Sequence, residues 1–245
     1  MTLLLNCDLG ESFGSWTMGV DEAVMPYIDQ ANIACGYHAG DPVVINNTLT
    51  LAKQHGVTVG AHPSYPDLAG FGRRSLNCSM EEIHALLNYQ IAALDGMARN
   101  HGLELHYVKP HGALYNDMMK RDDIRRTIMQ TLAEFHKPLH LMLQATASAD
   151  QHRHEAETYQ LPLYFEAFAD RRYDDDGLLL ARSKAGAVLN HDDMLQQVQQ
   201  LQDTQTVTTV SGKTLPLAAD TLCVHGDNQA GVDAINQIRQ LIHSS

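Results

Sequence analysis

Tryptophan occurs once in 245 residues, aromatics make up only 6%, cysteines number four, and basic residues are outnumbered 17 to 29 by acidic ones. Each shortage excludes something. With a formal charge of -12 at pH 7, the chain offers no broad basic surface to a phosphate backbone, so nucleic acid is not an expected partner. A few well-placed cations can still reverse the field inside a cleft, which leaves an anionic small molecule open. Cys7, Cys35, Cys78 and Cys223 lie far apart, with no CxxC redox or zinc spacing, and read as reduced thiols. No run approaches the ~20 apolar residues that cross a bilayer, so no membrane association is expected. Met1–Asn6 has three leucines and no basic segment, so a signal peptide is not expected and the expected location is the cytoplasm.

A hydrophobic content of 44% is enough for one sizeable core, and residues 1–245 are expected to form a single domain. Short apolar runs alternate with amphipathic stretches, the pattern of βα units around a mostly parallel sheet. The strands expected are Leu3–Cys7, Asn32–Cys35, Val57–Ala61, His106–Lys109, Leu139–Leu143, Leu163–Phe168 and Thr221–Val224. Asp41 and Pro42 can cap and open a helix over Val43–His55, and Ser79 with Glu82 spells a capping box. Behind that box, Ile83, Leu87, Ile91 and Leu94 recur at helical spacing, as do Val232, Ile235, Ile238 and Ile242 in the last helix. From Gln205 to Leu217 the alternation becomes two-fold around Ser211-Gly212, which predicts a β-hairpin decoration. Ser211-Gly212-Lys213-Thr214 resembles the end of a phosphate-binding loop, but Val207 stands where that motif needs glycine and the flanks are hairpin strands.

The polar residues are not scattered. Every expected strand except the fifth runs straight into a cluster of ionisable residues and glycines, and in a parallel barrel such strand ends share one mouth. The first brings Asn6, Asp8 and Glu11, the second His38, and the third His62 followed by Arg73 and Arg74. The fourth brings Lys109, His111 and Tyr115; the sixth Glu166, Asp170 and Arg171; the seventh His225 and Asp227. Carboxylates, imidazoles and cations in one cavity suit general acid–base work on an anionic substrate, and equally suit a hard or borderline divalent cation. No HExxH or paired Cys/His spacing decides between the two. Blander readings apply elsewhere: Asp174–Asp176 reads as a solvated turn, and His84, His101, His136, His140, His152, His154 and His243 as surface or core imidazoles. Phe13 and Trp16 read either as a lid over the first cluster or as packing.

The ordered segments NCDLGESFG, ANIACGYHAGDP, GAHPSYPDLAGFGRR, VKPHGALYN, EAFADRRYDDDG and CVHGDN resemble those of the LamB/YcsF family, described as the A subunit of 5-oxoprolinase. The resemblance implies a distorted seven-stranded parallel β/α barrel, TIM-like and of the glycoside hydrolase/deacetylase type. It also implies opening of 5-oxo-L-proline to L-glutamate with ATP hydrolysis, in a complex with partner subunits B and C. On that basis Asp8, Glu11, His62, Lys109 and His111 are the catalytic candidates: Asp8 or Glu11 as base for water, His62 and His111 in proton transfer or ion binding. Lys109 and Arg171 are expected to hold phosphate or a substrate carboxylate. Asn6, His38, Arg73, Glu166, Asp170, Arg171, His225 and Asp227 are the substrate-binding candidates. Asp8, His62 and His111 are the candidates for a divalent metal. ATP is expected to be bound or used with the partners. Two rival readings are a metal-dependent amidase or carbohydrate deacetylase and a non-catalytic lactam-binding subunit.

Overall fold

A computed structural model describes residues 3–180, 184–225 and 229–243. Seven strands close into an all-parallel barrel: β1 (Leu4–Leu9), β2 (Gln30–Ala34), β3 (Thr58–His62), β4 (Leu105–Val108), β5 (His140–Gln144), β6 (Leu163–Phe168) and β9 (Thr221–Val224). The expected strands stand at these places, shifted by a residue or two. The barrel is sealed where β1 pairs with both β2 and β9, Asn6 lying opposite Gln30 on one side and Cys223 on the other. Outside it, β7 (Thr206–Thr208) and β8 (Thr214–Pro216) form the antiparallel hairpin expected near 205–217. The Ser211–Thr214 segment is its turn and the start of β8, where Ser211 Oγ donates to Asp175.

The helices are α1 (Asp21–Val24), α2 (Pro42–His55), α3 (Met80–Asn100), α4 (Gly112–Lys120), α5 (Asp122–Ala133), α6 (Ala149–Glu157), α7 (His191–Thr204) and α8 (Gln229–His243). None among the described residues is long and apolar enough to cross a membrane. Asp41 caps α2 by accepting from the N–H groups of Val43 and Val44, and its other oxygen accepts from Gly14 N, tying the loop after β1 to the start of α2. Ser79 and Glu82 make the reciprocal capping box of α3; such a cap stabilises a helix by about 1 kcal/mol. The apolar stripe Ile83, Leu87, Ile91 and Leu94 is buried against the barrel, and Val232, Ile235, Ile238 and Ile242 of α8 are buried as well. Burying an aliphatic side chain stabilises by roughly 1.5–3 kcal/mol, so these stripes fix which face of each helix turns inward.

Side chains alternate along a strand, and here the inward set is polar. Asn6 Nδ2 donates to Thr221 Oγ1, which donates to Gln30 Oε1, while Asn32 Nδ2 donates to Asn6 Oδ1. Tyr107 Oη crosses the interior to donate to Asn32 Oδ1 at 2.6 Å. That crossing requires Gly60, because a Cβ there would lie 2.1 Å from Tyr107 Cε2. Both neighbours are fixed by sheet pairing, so Gly60→Ala is expected to destabilise the chain by roughly 3 kcal/mol, measured by urea denaturation. A midpoint within error of wild type would show that the tyrosine can move aside.

Candidate active site

At the carboxyl ends of the strands the buried network becomes charged. Lys109, one residue past β4, is buried, and its Nζ lies 2.6 Å from Glu166 Oε1, 3.0 Å from Asp8 Oδ1 and 3.3 Å from Asn6 Oδ1. Three N–H bonds thus have three protein oxygens to meet. Glu166 Oε2 also accepts from Tyr115 Oη, and Asp8 Oδ1 from Asn32 Nδ2. Burial alone would raise the Asp8 carboxyl, but His62 and Lys109 outweigh it and hold Asp8 well below the usual carboxylate range. Burial likewise opposes the Lys109 cation, yet Asp8, Cys223 and Glu166 keep its ammonium well above the ordinary lysine value. Glu11 moves the other way: burial, then the charge of Asp8, raises its carboxyl. Two nearby carboxylates are thereby driven apart, one firmly ionised and one easier to protonate.

Three histidines from three strand ends meet beside this pair. His62 Nε2 lies 3.3 Å from Asp8 Oδ2 and 2.9 Å from His111 Nδ1. The His38 ring stacks flat on His111, centroids 3.7 Å apart, and its Nε2 lies 3.1 Å from Glu11 Oε1, which is also 3.5 Å from His111 Nδ1. Burial first, then the neighbouring imidazoles, holds both His38 and His111 well below the ordinary histidine value, so both are neutral near pH 7. The loop after β3 supports the stack: Phe71 in the left-handed region (φ 52) turns its carbonyl toward His111 Nε2 at 2.9 Å. Gly72 follows it, where a Cβ would lie 2.8 Å from His111 Cδ2 and 2.9 Å from His38 Cβ.

The remaining candidates lie around this centre. His225 Nδ1 is 3.1 Å from Asp170 Oδ2 at the edge where β9 meets β6. Arg171 is buried and donates from Nη2 to the Leu180 carbonyl at 2.6 Å, bracing the loop after β6. Arg73 is exposed and sits over the Phe71 ring, 5.1 Å from its centroid. Asp227 lies outside the described residues. Phe13 and Trp16 form a backbone bridge with rings 6.3 Å apart, and Trp16 is 60% exposed. Sequence reasoning passed over Asn32, Tyr107 and Cys223, which hold Asp8, Asn6 and Lys109. The available signal was a polar residue at every second place in strands otherwise buried on both faces.

Fold and site together define the class: a closed parallel β/α barrel that gathers its ionisable groups at the carboxyl-end mouth. The sequence profile of the LamB/YcsF family matches residues 3–245, and the chain belongs to that family. Among its relatives is a protein of Pseudomonas putida named as a second A subunit of 5-oxoprolinase, 56% identical, the alignment covering 98% of this chain and 93% of that one. A Vibrio parahaemolyticus protein named as the 5-oxoprolinase A subunit is 51% identical over 99% of this chain and 96% of its own. The crystal structure of a lactam utilization protein from Thermus thermophilus superposes with a TM-score of 0.91 at 36% identity, covering 100% of this chain and 97% of that one.

Proposed function

We propose that this chain is the A subunit of an ATP-dependent 5-oxoprolinase, which opens 5-oxo-L-proline to L-glutamate together with two partner subunits, B and C, in the cytoplasm. The observation that carries the reading is the pairing of an ionised Asp8 with a more readily protonated Glu11 across three imidazoles, in a chain about half identical to proteins of that name. A five-membered lactam resists simple hydrolysis. Transfer of the ATP γ-phosphoryl group to its carbonyl oxygen makes the ring carbon electrophilic and gives that oxygen a good leaving group. Water then adds to the carbon, the C–N bond opens as the nitrogen takes a proton and an acyl phosphate remains, and a second water hydrolyses that acyl phosphate to the carboxylate of glutamate and free phosphate.

In this reading Asp8 orients and deprotonates the first water. Its Oδ1 is tied to Lys109 and Asn32, while Oδ2 faces His62 at the mouth. Lys109 serves as the fixed counter-charge that keeps Asp8 ionised, with its donors on protein oxygens. Recognition of the substrate carboxylate is left to Arg73 at the rim, and the His225–Asp170 pair borders the same opening. The phosphoryl-transfer step falls to the partners, since the one segment resembling a phosphate loop has Val207 in place of glycine and sits in a hairpin turn.

The test is glutamate formation from 5-oxoproline, ATP and magnesium by this chain alone, by the partners alone and by all three. The chain alone is expected to release little or no glutamate, and the three together to turn over. Robust ATP-dependent turnover by this chain alone would sink the division of labour.

A further inference from the structure

We infer that Glu11, His38, His62 and His111 form a site for one borderline divalent transition-metal ion, zinc-like or cobalt-like, at the barrel mouth. Proton positions point to it first. His62 Nδ1 lies 2.7 Å from the Lys109 carbonyl oxygen and His111 Nε2 lies 2.9 Å from the Phe71 carbonyl oxygen. A carbonyl oxygen only accepts, so both of these nitrogens carry hydrogen. The second nitrogen of each ring, His62 Nε2 and His111 Nδ1, is left over, and these two face each other at 2.9 Å. That spacing is met by one proton held between them or by a cation that both ligate, and the residues around them favour the cation.

The other two members stand where further ligands belong. His38 Nδ1 is buried with no hydrogen-bond partner, so nothing else fixes its tautomer, and its Nε2 reaches Glu11 Oε1 at 3.1 Å. One ligand atom from each of the four residues lies within 4.8 Å of all the others. Bonds of about 2.0–2.1 Å in a tetrahedral site put neighbouring ligand atoms about 3.3 Å apart. The separations of 2.9, 3.1 and 3.5 Å fall on either side of that spacing. Carbonyl oxygens holding the far nitrogens of His62 and His111 are the outer partners that orient metal-bound imidazoles. Gly72 and Gly112 keep one of them in place, because a Cβ on Gly112 would lie 2.5 Å from the Gly72 carbonyl oxygen beside Phe71.

Three nitrogens and one oxygen suit zinc or cobalt, whereas magnesium prefers an all-oxygen shell. The carboxylate ligand is Glu11 rather than Asp8. Although Asp8 Oδ2 lies 3.3 Å from His62 Nε2, Asp8 already neutralises the Lys109 cation 3.0 Å away. Metal binding stands apart from the 5-oxoprolinase reading. Only its use there, polarising a carbonyl oxygen of the lactam, rests on that reading.

The test is calorimetric titration of Co2+ and Zn2+ into the tag-free, chelator-treated full chain, with the visible absorption of the Co2+ form recorded. One equivalent should bind, with the intense bands of four-coordinate Co2+, undiminished by excess Mg2+. His62→Gln and His111→Gln should each weaken binding by roughly 100-fold or more and Glu11→Gln by roughly 10–100-fold, on the scale of coordination-shell changes. The half-buried His101→Ala, which supplies no ligand, should stay within about threefold. Failure of the folded wild-type chain to bind would overturn the site and leave the facing nitrogens sharing a proton. Undiminished binding by the two histidine variants would also overturn it. Loss of the metal in Asp8→Asn but not in Glu11→Gln would overturn the ligand set. Should a histidine variant misfold by circular dichroism, Glu11→Gln and the wild-type spectrum still decide. An intact metal site without glutamate formation in the complex would count against the 5-oxoprolinase reading alone.

Discussion

Glutamate formation by the complex of this chain with its partner subunits is expected to fall by roughly 100-fold or more when Asp8 is replaced by asparagine, the scale of losing a positioned general base. The substitution is nearly isosteric, so its side-chain oxygen can still accept from Lys109 and Asn32, and the barrel should stay closed. What is lost is the charge. The wild-type carboxyl is held well below its usual range, with burial overcome by His62 and Lys109, so it is ionised throughout the neutral range. Asparagine supplies no such base and turns an N–H group toward His62. The loss should appear in kcat more than in KM, because the role proposed for Asp8 is in the chemical step and not in holding the substrate carboxylate. Initial rates over a range of 5-oxoproline concentrations measure it, alongside melting curves for both proteins. Near-wild-type turnover would remove Asp8 from the mechanism.

Lys109→Met is expected to act on stability as well as on rate. Methionine fills a similar volume but leaves Asp8 and the fully buried Glu166 facing each other across the barrel without the cation that joins them. Breaking a buried pair from one side typically costs about 3–5 kcal/mol. For a chain of this length that corresponds to a fall in Tm of about 10 °C. Adding Glu166→Gln should recover part of the loss, since the amide can still accept from Tyr115 and no longer strands a charge. Thermal melts of the single and double variants provide the measurement. An unchanged Tm for Lys109→Met would show that the mouth tolerates both carboxylates without their counter-charge, contrary to the packing around Nζ.

Lys109 also shows what was hidden in the sequence. Its position after β4 marked it as functional, and the expectation was that its ammonium would hold phosphate or carboxylate from the substrate. Its actual neighbours, Asp8 and Glu166, lie 101 and 57 positions away in the chain, and only barrel closure brings them to one nitrogen. Arg171 is similar: its buried guanidinium donates to the Leu180 carbonyl, a contact that no local sequence pattern announces. His38, His62 and His111 were legible as strand-end histidines, but their stacking was not, because it depends on a loop kinked at Phe71 and Gly72.

By itself the sequence determined the elements and their polarity. Short apolar runs between amphipathic stretches specified seven strands, the caps at Asp41 and Ser79 began their helices, and the polar clusters fell at one end of the strands because a parallel sheet aligns those ends. These are local properties, carried by residues within a few positions of one another. Tertiary structure alone decided that β1 pairs with β9, that Tyr107 reaches across over Gly60 to Asn32, and that Asp8 is driven to ionise while Glu11 is not. Charge states and tautomers depend on burial and on neighbours a few ångströms away, and those neighbours come from strands as far apart in the chain as the 215 positions between Asn6 and Thr221.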